Sequence, residues 1–260
     1  PWMTLYHWEL PQALEVGGGW LRRETAEAFA RFAGMMAQHF GDRVFHFITL
    51  NEPQIVLKLG YCDGIHAPGR RYPLPRLVQC WKNLMLAHGL AFRAIRSTAP
   101  DAQIGIASTG KLCYPHAPAD EEAARNETFR LTDTDWMFTH PITLDAVCFG
   151  RVEPEAGALS SLMRKISPED WDIMHAIPDF IGVNSYNGSE IAADADGWPV
   201  YLPRPRGFPC TALKWPVTPE IMEYGYAFLY ERYQLPLYVT ECGLSCNDRI
   251  YLGGQVHDAD

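Results

Sequence analysis

The sequence contains no cysteine pair at C-x-x-C spacing, no apolar run long enough to cross a membrane and no low-complexity tract or internal repeat. Its seven cysteines (Cys62, Cys80, Cys113, Cys148, Cys210, Cys242 and Cys246) are odd in number and widely spread, which suggests neither a disulfide framework nor a zinc site. A reducing compartment fits that usage, and the expected location is cytoplasmic. Basic charge is also scarce: 22 Lys and Arg stand against 31 Asp and Glu, a formal net charge of −9. Scattered cations on an acidic chain argue against a nucleic-acid partner and leave a small neutral or cationic substrate as the expected ligand. The chain opens directly on Pro1-Trp2-Met3-Thr4-Leu5-Tyr6 without a charged leader, and its tail from Gly254 reads as a loop. Both ends are therefore expected to be cut.

With 260 residues and 47% apolar content, the chain can bury one large core. Short apolar runs alternate with segments of helical period, the pattern of a parallel sheet wrapped by helices. The expected strands are Met3–Tyr6, Val44–Leu50, Gln103–Ala107, Phe180–Asn184 and Leu237–Thr240, each buried on both faces. Helices are expected at Glu24–Phe40, with Gly41 as its C′ residue, at Leu74–Ser97 and at Pro219–Tyr233, with two or three shorter ones in Ala119–Met163. The stretches Gly60–Pro75 and Gly188–Pro216 read as long loops, and loops of that length are usually functional. A (β/α)₈ TIM barrel takes about 250 residues, yet only five strands are visible. The expectation is one α/β domain over residues 1–260, a partial barrel corresponding to about strands 3 to 7.

Two strand ends carry chemistry. The second strand closes on Asn51-Glu52-Pro53, and the fifth closes on Thr240-Glu241-Cys242-Gly243. A parallel strand buried on both faces has no use for an amide and a carboxylate in its interior, so these groups belong at the carboxyl rim, where barrel active sites are built. The glutamates lie 189 positions apart (241 − 52), so only the fold can unite them. Paired carboxylates about 5–5.5 Å apart are what retaining glycoside hydrolysis uses: one is kept protonated as general acid and then base, and the other is ionised as nucleophile. Alone, either glutamate would read as a strand-end cap or an ion-pair member. The pattern itself supports a barrel enzyme with paired carboxylates and names no sugar.

Around these residues the chain closely resembles glycoside hydrolase family 1, the β-glucosidase family. Thr49-Leu-Asn-Glu-Pro53 is similar to the family's acid/base signature, and Tyr238-Val-Thr-Glu241 resembles its nucleophile strand. Further likenesses are Thr4-Leu-Tyr-His-Trp-Glu-Leu-Pro11, Gly60–Gly69, Asp179–Tyr186 and Trp215-Pro-Val-Thr-Pro219. The resemblance implies a retaining β-glycosidase acting on a small β-glycoside, with Glu52 as acid/base, Glu241 as nucleophile and no metal or organic cofactor. It further implies that His7 and Asn51 bind sugar hydroxyls, Trp8 walls the pocket, Tyr186 orients the nucleophile and Trp215 stacks on the aglycone. Asn184 lines the same site in this reading but ranks below Tyr186.

The chain departs from the family pattern at Cys242, where Asn is usual, and at Ser185, where an aromatic is common. It has no counterpart of the family's first two strands or of its last, whose residues choose among sugars. Sugar and aglycone therefore stay open, as does oligomeric state. A 6-phospho-β-glycosidase and a transglycosylase are the alternatives within this chemistry, and a silent sugar-binding relative is disfavoured by the presence of both carboxylates. The 260-residue chain by itself is expected to be inactive or barely active.

Overall fold

A computed structural model describes residues 1–257, so the last three residues of the expected terminal loop lie outside it. Eight strands follow in chain order: β1 (Trp2–Tyr6), β2 (His46–Asn51), β3 (Gln103–Ser108), β4 (Cys113–Pro115), β5 (Phe180–Asn184), β6 (Ser189–Ala193), β7 (Pro199–Tyr201) and β8 (Leu237–Glu241). The five expected strands form one parallel sheet in the order β1-β2-β3-β5-β8, as a partial (β/α)₈ barrel requires.

The helices are α1 (Gln12–Val16), α2 (Arg23–Phe40), α3 (Pro53–Ile55), α4 (Leu74–Thr98), α5 (Glu121–Thr128), α6 (Pro141–Phe149), α7 (Ala158–Met163), α8 (Pro168–Met174) and α9 (Tyr224–Tyr233). A π-helical turn, Val56–Cys62, follows α3 directly. Helix α2 buries Thr25, Ala26, Phe29, Ala33 and Ala37, an inward stripe at three- and four-residue spacing, and sets small side chains against α4. Helix α4 is buried on most sides, and its polar residues are satisfied there: Trp81 donates to the Ile142 carbonyl at 2.8 Å and Asn83 to that of Trp20 at 2.8 Å. No helix among the described residues is long and apolar enough to cross a membrane.

Aromatic rings pack against one another across the sheet. Trp2 stacks on His46 at 4.1 Å, and Phe180 meets Trp2 at 5.1 Å and Tyr238 at 5.3 Å. Trp2 also touches Tyr238 at 4.8 Å, so the sheet curls until side chains of its two edge strands meet. The Phe180 ring occupies the space where a side chain on Gly105 would lie: a Cβ there would stand 2.2 Å from it.

Four local expectations are corrected. The 188–216 stretch is no simple loop, since it holds β6 and β7, which join β4 in a second, three-stranded sheet. Only Ile191 of β6 is fully buried, too little alternation to read as a strand. The helix expected over 219–233 divides into a 3-10 turn, Pro219–Met222, and α9, in a stretch rich in Tyr and carrying Gly225, poor helix formers. Gly41 ends α2 in a right-handed conformation, φ −64°, and its smallness serves close approach, a Cβ there falling 2.5 Å from the Ala37 carbonyl oxygen. Finally, the two edge strands are not buried on both faces: β1 buries only Tyr6 and leaves Trp2 45% exposed, and β8 leaves Tyr238 42% and Val239 51% exposed.

Gly105→Ala drives a methyl group into the Phe180 ring, and overpacking of this kind costs roughly 1–3 kcal/mol. The expected outcome is a lower urea midpoint with an unchanged denaturant slope; a midpoint equal to that of the parent chain would show that the ring is free to move.

Candidate active site

The carboxyl ends of β2, β5 and β8 converge on one rim. Two register irregularities lie there, between Ile48 and Asn51 where β2 meets β3, and between Val183 and Asn184 where β5 meets β8. Such bulges re-aim side chains at strand ends. Glu52 follows immediately with φ 46° and ψ 60°, a left-handed backbone that costs a non-glycine residue roughly 1–3 kcal/mol. Its N–H is held by the Ala107 carbonyl at 2.9 Å, and its own carbonyl accepts from Ile55 at 2.9 Å as α3 begins on Pro53. Trp8, at the end of β1, is also left-handed with φ 78°, and its indole N–H donates to the Asn51 carbonyl at 3.1 Å.

Asn184 ties the rim together. Its Nδ2 donates to Glu52 Oε1 at 2.7 Å and to Asn51 Oδ1 at 3.0 Å, while its Oδ1 accepts from Thr240 Oγ1 at 2.5 Å. The single amide thus joins β2, β5 and β8. Asn184 is paired in register with Glu241, whose Oε2 accepts from the Tyr186 hydroxyl at 2.5 Å. Burial, and then the Glu241 carboxylate, hold that phenol protonated well above its ordinary range.

The environment of Glu52 is unusual for a carboxyl group. Burial raises its pKa to about 7, the charge of Glu241 pushes the same way, and the Asn184 hydrogen bond works against both by favouring the ionised form. Near neutral pH this group can therefore carry a proton and give it up again, as a general acid that later acts as base must do. Among the described residues, no group of three or more His, Cys, Asp or Glu side chains is placed to hold a metal ion.

Glu52, Glu241, Trp8, Tyr186 and Trp215 all line one cavity of about 940 Å³. The Trp215 ring stands 5.4 Å from that of Tyr186. His7 and Asn51 do not line it; they adjoin, with Asn51 Nδ2 3.2 Å from His7 Nε2 and Asn51 Oδ1 engaged by Asn184. Sequence reasoning ranked Asn184 too low, because a strand-terminal amide looks ordinary until its partners are known. It missed the outer wall of the cavity, to which Lys111, Asp135, Phe138 and Tyr201 contribute. Ser185, one of the departures from the family pattern, bonds the Tyr226 hydroxyl of α9 at 2.6 Å.

A parallel barrel sheet with two strand-end carboxylates on one cavity is the constellation of a barrel hydrolase that works by paired glutamates. The comparisons with known proteins agree: the profile described as Glycosyl hydrolase family 1 matches residues 1–260, and the chain belongs to that family. Beta-glucosidase A of Thermotoga maritima is 34% identical over 265 residues, covering 99% of this chain and 57% of its own length. A beta-glucosidase of Agrobacterium sp. is 31% identical over 261 residues, covering 98% and 55%. Among solved structures, the beta-glucosidase from Thermotoga maritima in complex with castanospermine superposes with a TM-score of 0.81 at 32% identity, covering all of this chain and 57% of that one. The chain thus spans a little over half the length of these relatives.

The raised pKa of Glu52 has a stability consequence. The folded chain binds this proton more tightly than the unfolded chain does, so stability is fully present below the ordinary value of 4.5 and is lost as pH rises through about 7. Glu52→Gln is expected to flatten the stability–pH profile across that window, measured by urea unfolding at a series of pH values. Profiles of equal slope for the two proteins would refute the assignment. Asn184→Ala removes the bond that favours the ionised form and is expected to move the Glu52 titration upward by carboxyl-carbon NMR; a downward shift would contradict it.

Proposed function

We propose that the protein to which this chain belongs is a retaining β-glycosidase of the β-glucosidase type. The observation that carries this reading is the asymmetry of the two carboxylates on one cavity: Glu52 is buried and shifted to about 7, while Glu241 is held by the Tyr186 hydroxyl. In the first step Glu52 donates its proton to the glycosidic oxygen as that bond breaks, and Glu241 attacks the anomeric carbon from the opposite face to form a glycosyl ester. The leaving group departs as a neutral alcohol. In the second step Glu52, now ionised, takes a proton from water, whose oxygen displaces Glu241 and releases the sugar with its β configuration.

The supporting residues have roles that follow from their contacts. Asn184 restrains the Glu52 carboxyl and links it to Thr240, the residue before the nucleophile. Tyr186 orients Glu241 for attack. Trp8 and Trp215 offer indole faces to the apolar face of a pyranose, and His7 and Asn51 are the neighbouring groups for its hydroxyls. The relatives named beta-glucosidase make a terminal β-glucosyl unit the substrate to test first.

The test uses the protein as its gene encodes it, assayed on an aryl β-glucoside. Glu52→Gln is expected to lower kcat/KM by roughly 10²–10⁴-fold, the scale of general acid–base catalysis, with Glu241→Gln at least as damaging. Proton NMR of the first-formed sugar is expected to show the β anomer; α anomer appearing first would overturn the two-step mechanism.

A further inference from the structure

A buried polar chain adjoins Glu52 without lining the cavity. Gln54, two residues after Glu52 in α3, donates from Nε2 to Ser108 Oγ at 2.8 Å and to the Thr139 carbonyl at 3.3 Å. That carbonyl must receive an N–H, which fixes the orientation of the Gln54 amide. Ser108, the last residue of β3, in turn bonds Nδ1 of His140, at the start of α6, at 2.9 Å. All three side chains are fully buried. Burial pushes the His140 pKa down to about 3, so its ring is neutral and the chain keeps one protonation state throughout the neutral range.

Such a chain is costly to the fold. Gln54 Oε1 and His140 Nε2 have no hydrogen-bond partner among the described residues, and neither has Thr143 Oγ1 on the next turn of α6. Polar atoms buried in this way destabilise a protein, and apolar side chains of similar volume are often tolerated better. What Gln54 contributes is geometric. Glu52 has a left-handed backbone and gives α3 no side-chain cap, and α3 is only three residues long before the π-helical turn begins. So short a turn does not hold its own shape. It is stapled instead to consecutive residues of β3, by the Glu52 N–H to the Ala107 carbonyl at 2.9 Å and by Gln54 Nε2 to Ser108 Oγ. Gly110 lets α6 close on this staple, since a Cβ there would stand 2.7 Å from the His140 backbone nitrogen.

We propose that Gln54, through Ser108 and Thr139, is a positioning residue for the acid/base, holding the Glu52 turn so that the carboxyl group faces the leaving oxygen and stays shielded from water. This rests on the glycosidase reading above, in which Glu52 gives that oxygen its proton. Asn184 restrains the carboxyl group itself, whereas Gln54 restrains the backbone that carries it. None of the Gln54, Ser108 and His140 side-chain bonds reaches β8 or Tyr186, which hold the nucleophile. Loss of Gln54 therefore impairs proton transfer and spares the attack by Glu241.

The test compares Gln54→Met with the unaltered protein, each as the whole gene encodes it, on two aryl β-glucosides. A dinitrophenolate leaves without a proton, whereas a phenolate needs one from Glu52. Gln54→Met is expected to lower kcat/KM by about tenfold or more for the phenyl glucoside and by less than about threefold for the dinitrophenyl glucoside. Equal losses on the two substrates, with or without a lower urea midpoint, overturn the role, as does no loss on either. Ser108→Ala removes the acceptor, leaves the Thr139 bond in place and is expected to give the same pattern, which keeps the comparison open if Gln54→Met does not fold. Carboxyl-carbon NMR adds a readout independent of turnover: in Gln54→Met the Glu52 titration is expected to move down toward the ordinary 4.5 as water reaches the carboxyl group. An unmoved titration contradicts the proposal. If the unaltered protein hydrolyses no β-glucoside yet the titration moves, the glycosidase reading falls and the positioning of Glu52 by Gln54 stands.

Discussion

The amide of Asn184 is the constraint on which the site depends. One planar group, 1% exposed, donates to Glu52 and Asn51 from one end and accepts from Thr240 at the other. A buried amide with unmet donors is expensive, so each of these partners is held by the cost of losing the others. The consequence is geometric. Glu52 leaves β2 in a strained left-handed conformation and is bonded to Asn184, which also accepts from Thr240, the residue before Glu241, so a single side chain on β5 ties together the segments that carry both carboxylates. It is also electrostatic, because Asn184 alone opposes the burial and charge that push Glu52 upward. The carboxyl therefore comes to rest near neutrality, where it can both give and take a proton.

That arrangement explains which parts were legible in the sequence. The five strands of the main sheet are apolar runs bounded by Gly, Pro or polar residues, and in β2, β3 and β5 that mark goes with burial on both faces. Glu52 and Glu241 were legible because a carboxylate closing such a run has no structural excuse in its interior. Asn184 closes a strand too, but its importance lies in a partner 132 residues away, which no local pattern encodes. The second sheet left still less trace. Strands β4 and β7 have three residues each, too short for any period, and β6 buries one side chain fully. The cavity wall around Lys111 was invisible for the same reason, since its members come from separate segments with no common spacing.

The exposed flank of β8 follows from the sheet order rather than from its composition. Leu237-Tyr-Val-Thr-Glu241 has the residues of a central strand, yet within the described structure it is paired on one side, with Val239 51% exposed. An apolar strand with one unpaired edge is a template for further pairing. On the inner face the same strand is well supported, because Tyr238 packs against Phe180 and reaches Trp2 on the opposite edge. Glu241 therefore stands on a strand fixed from within and open at its edge, whereas Glu52 stands on a strand paired on both sides.

The two carboxylates and the mouth of the cavity are built from different layers of the fold. The two carboxylates sit at the carboxyl ends of β2 and β8, beside the register irregularities of the main sheet. The mouth is built from the excursions, with Lys111 from the turn after β3, Asp135 from the loop after α5, Tyr201 from β7 and Trp215 from the chain leading to α9. The segments carrying Lys111, Phe138 and Tyr201 are tied to one another, through Lys111–Glu127, Tyr201–Glu127 and the backbone bond between Lys111 and Phe138, and none of these bonds involves Asn184, Glu52 or Glu241. Trp215 alone of these residues reaches the strand ends, its ring standing 5.4 Å from that of Tyr186, the donor to Glu241, so the loops and the rim meet at one aromatic contact.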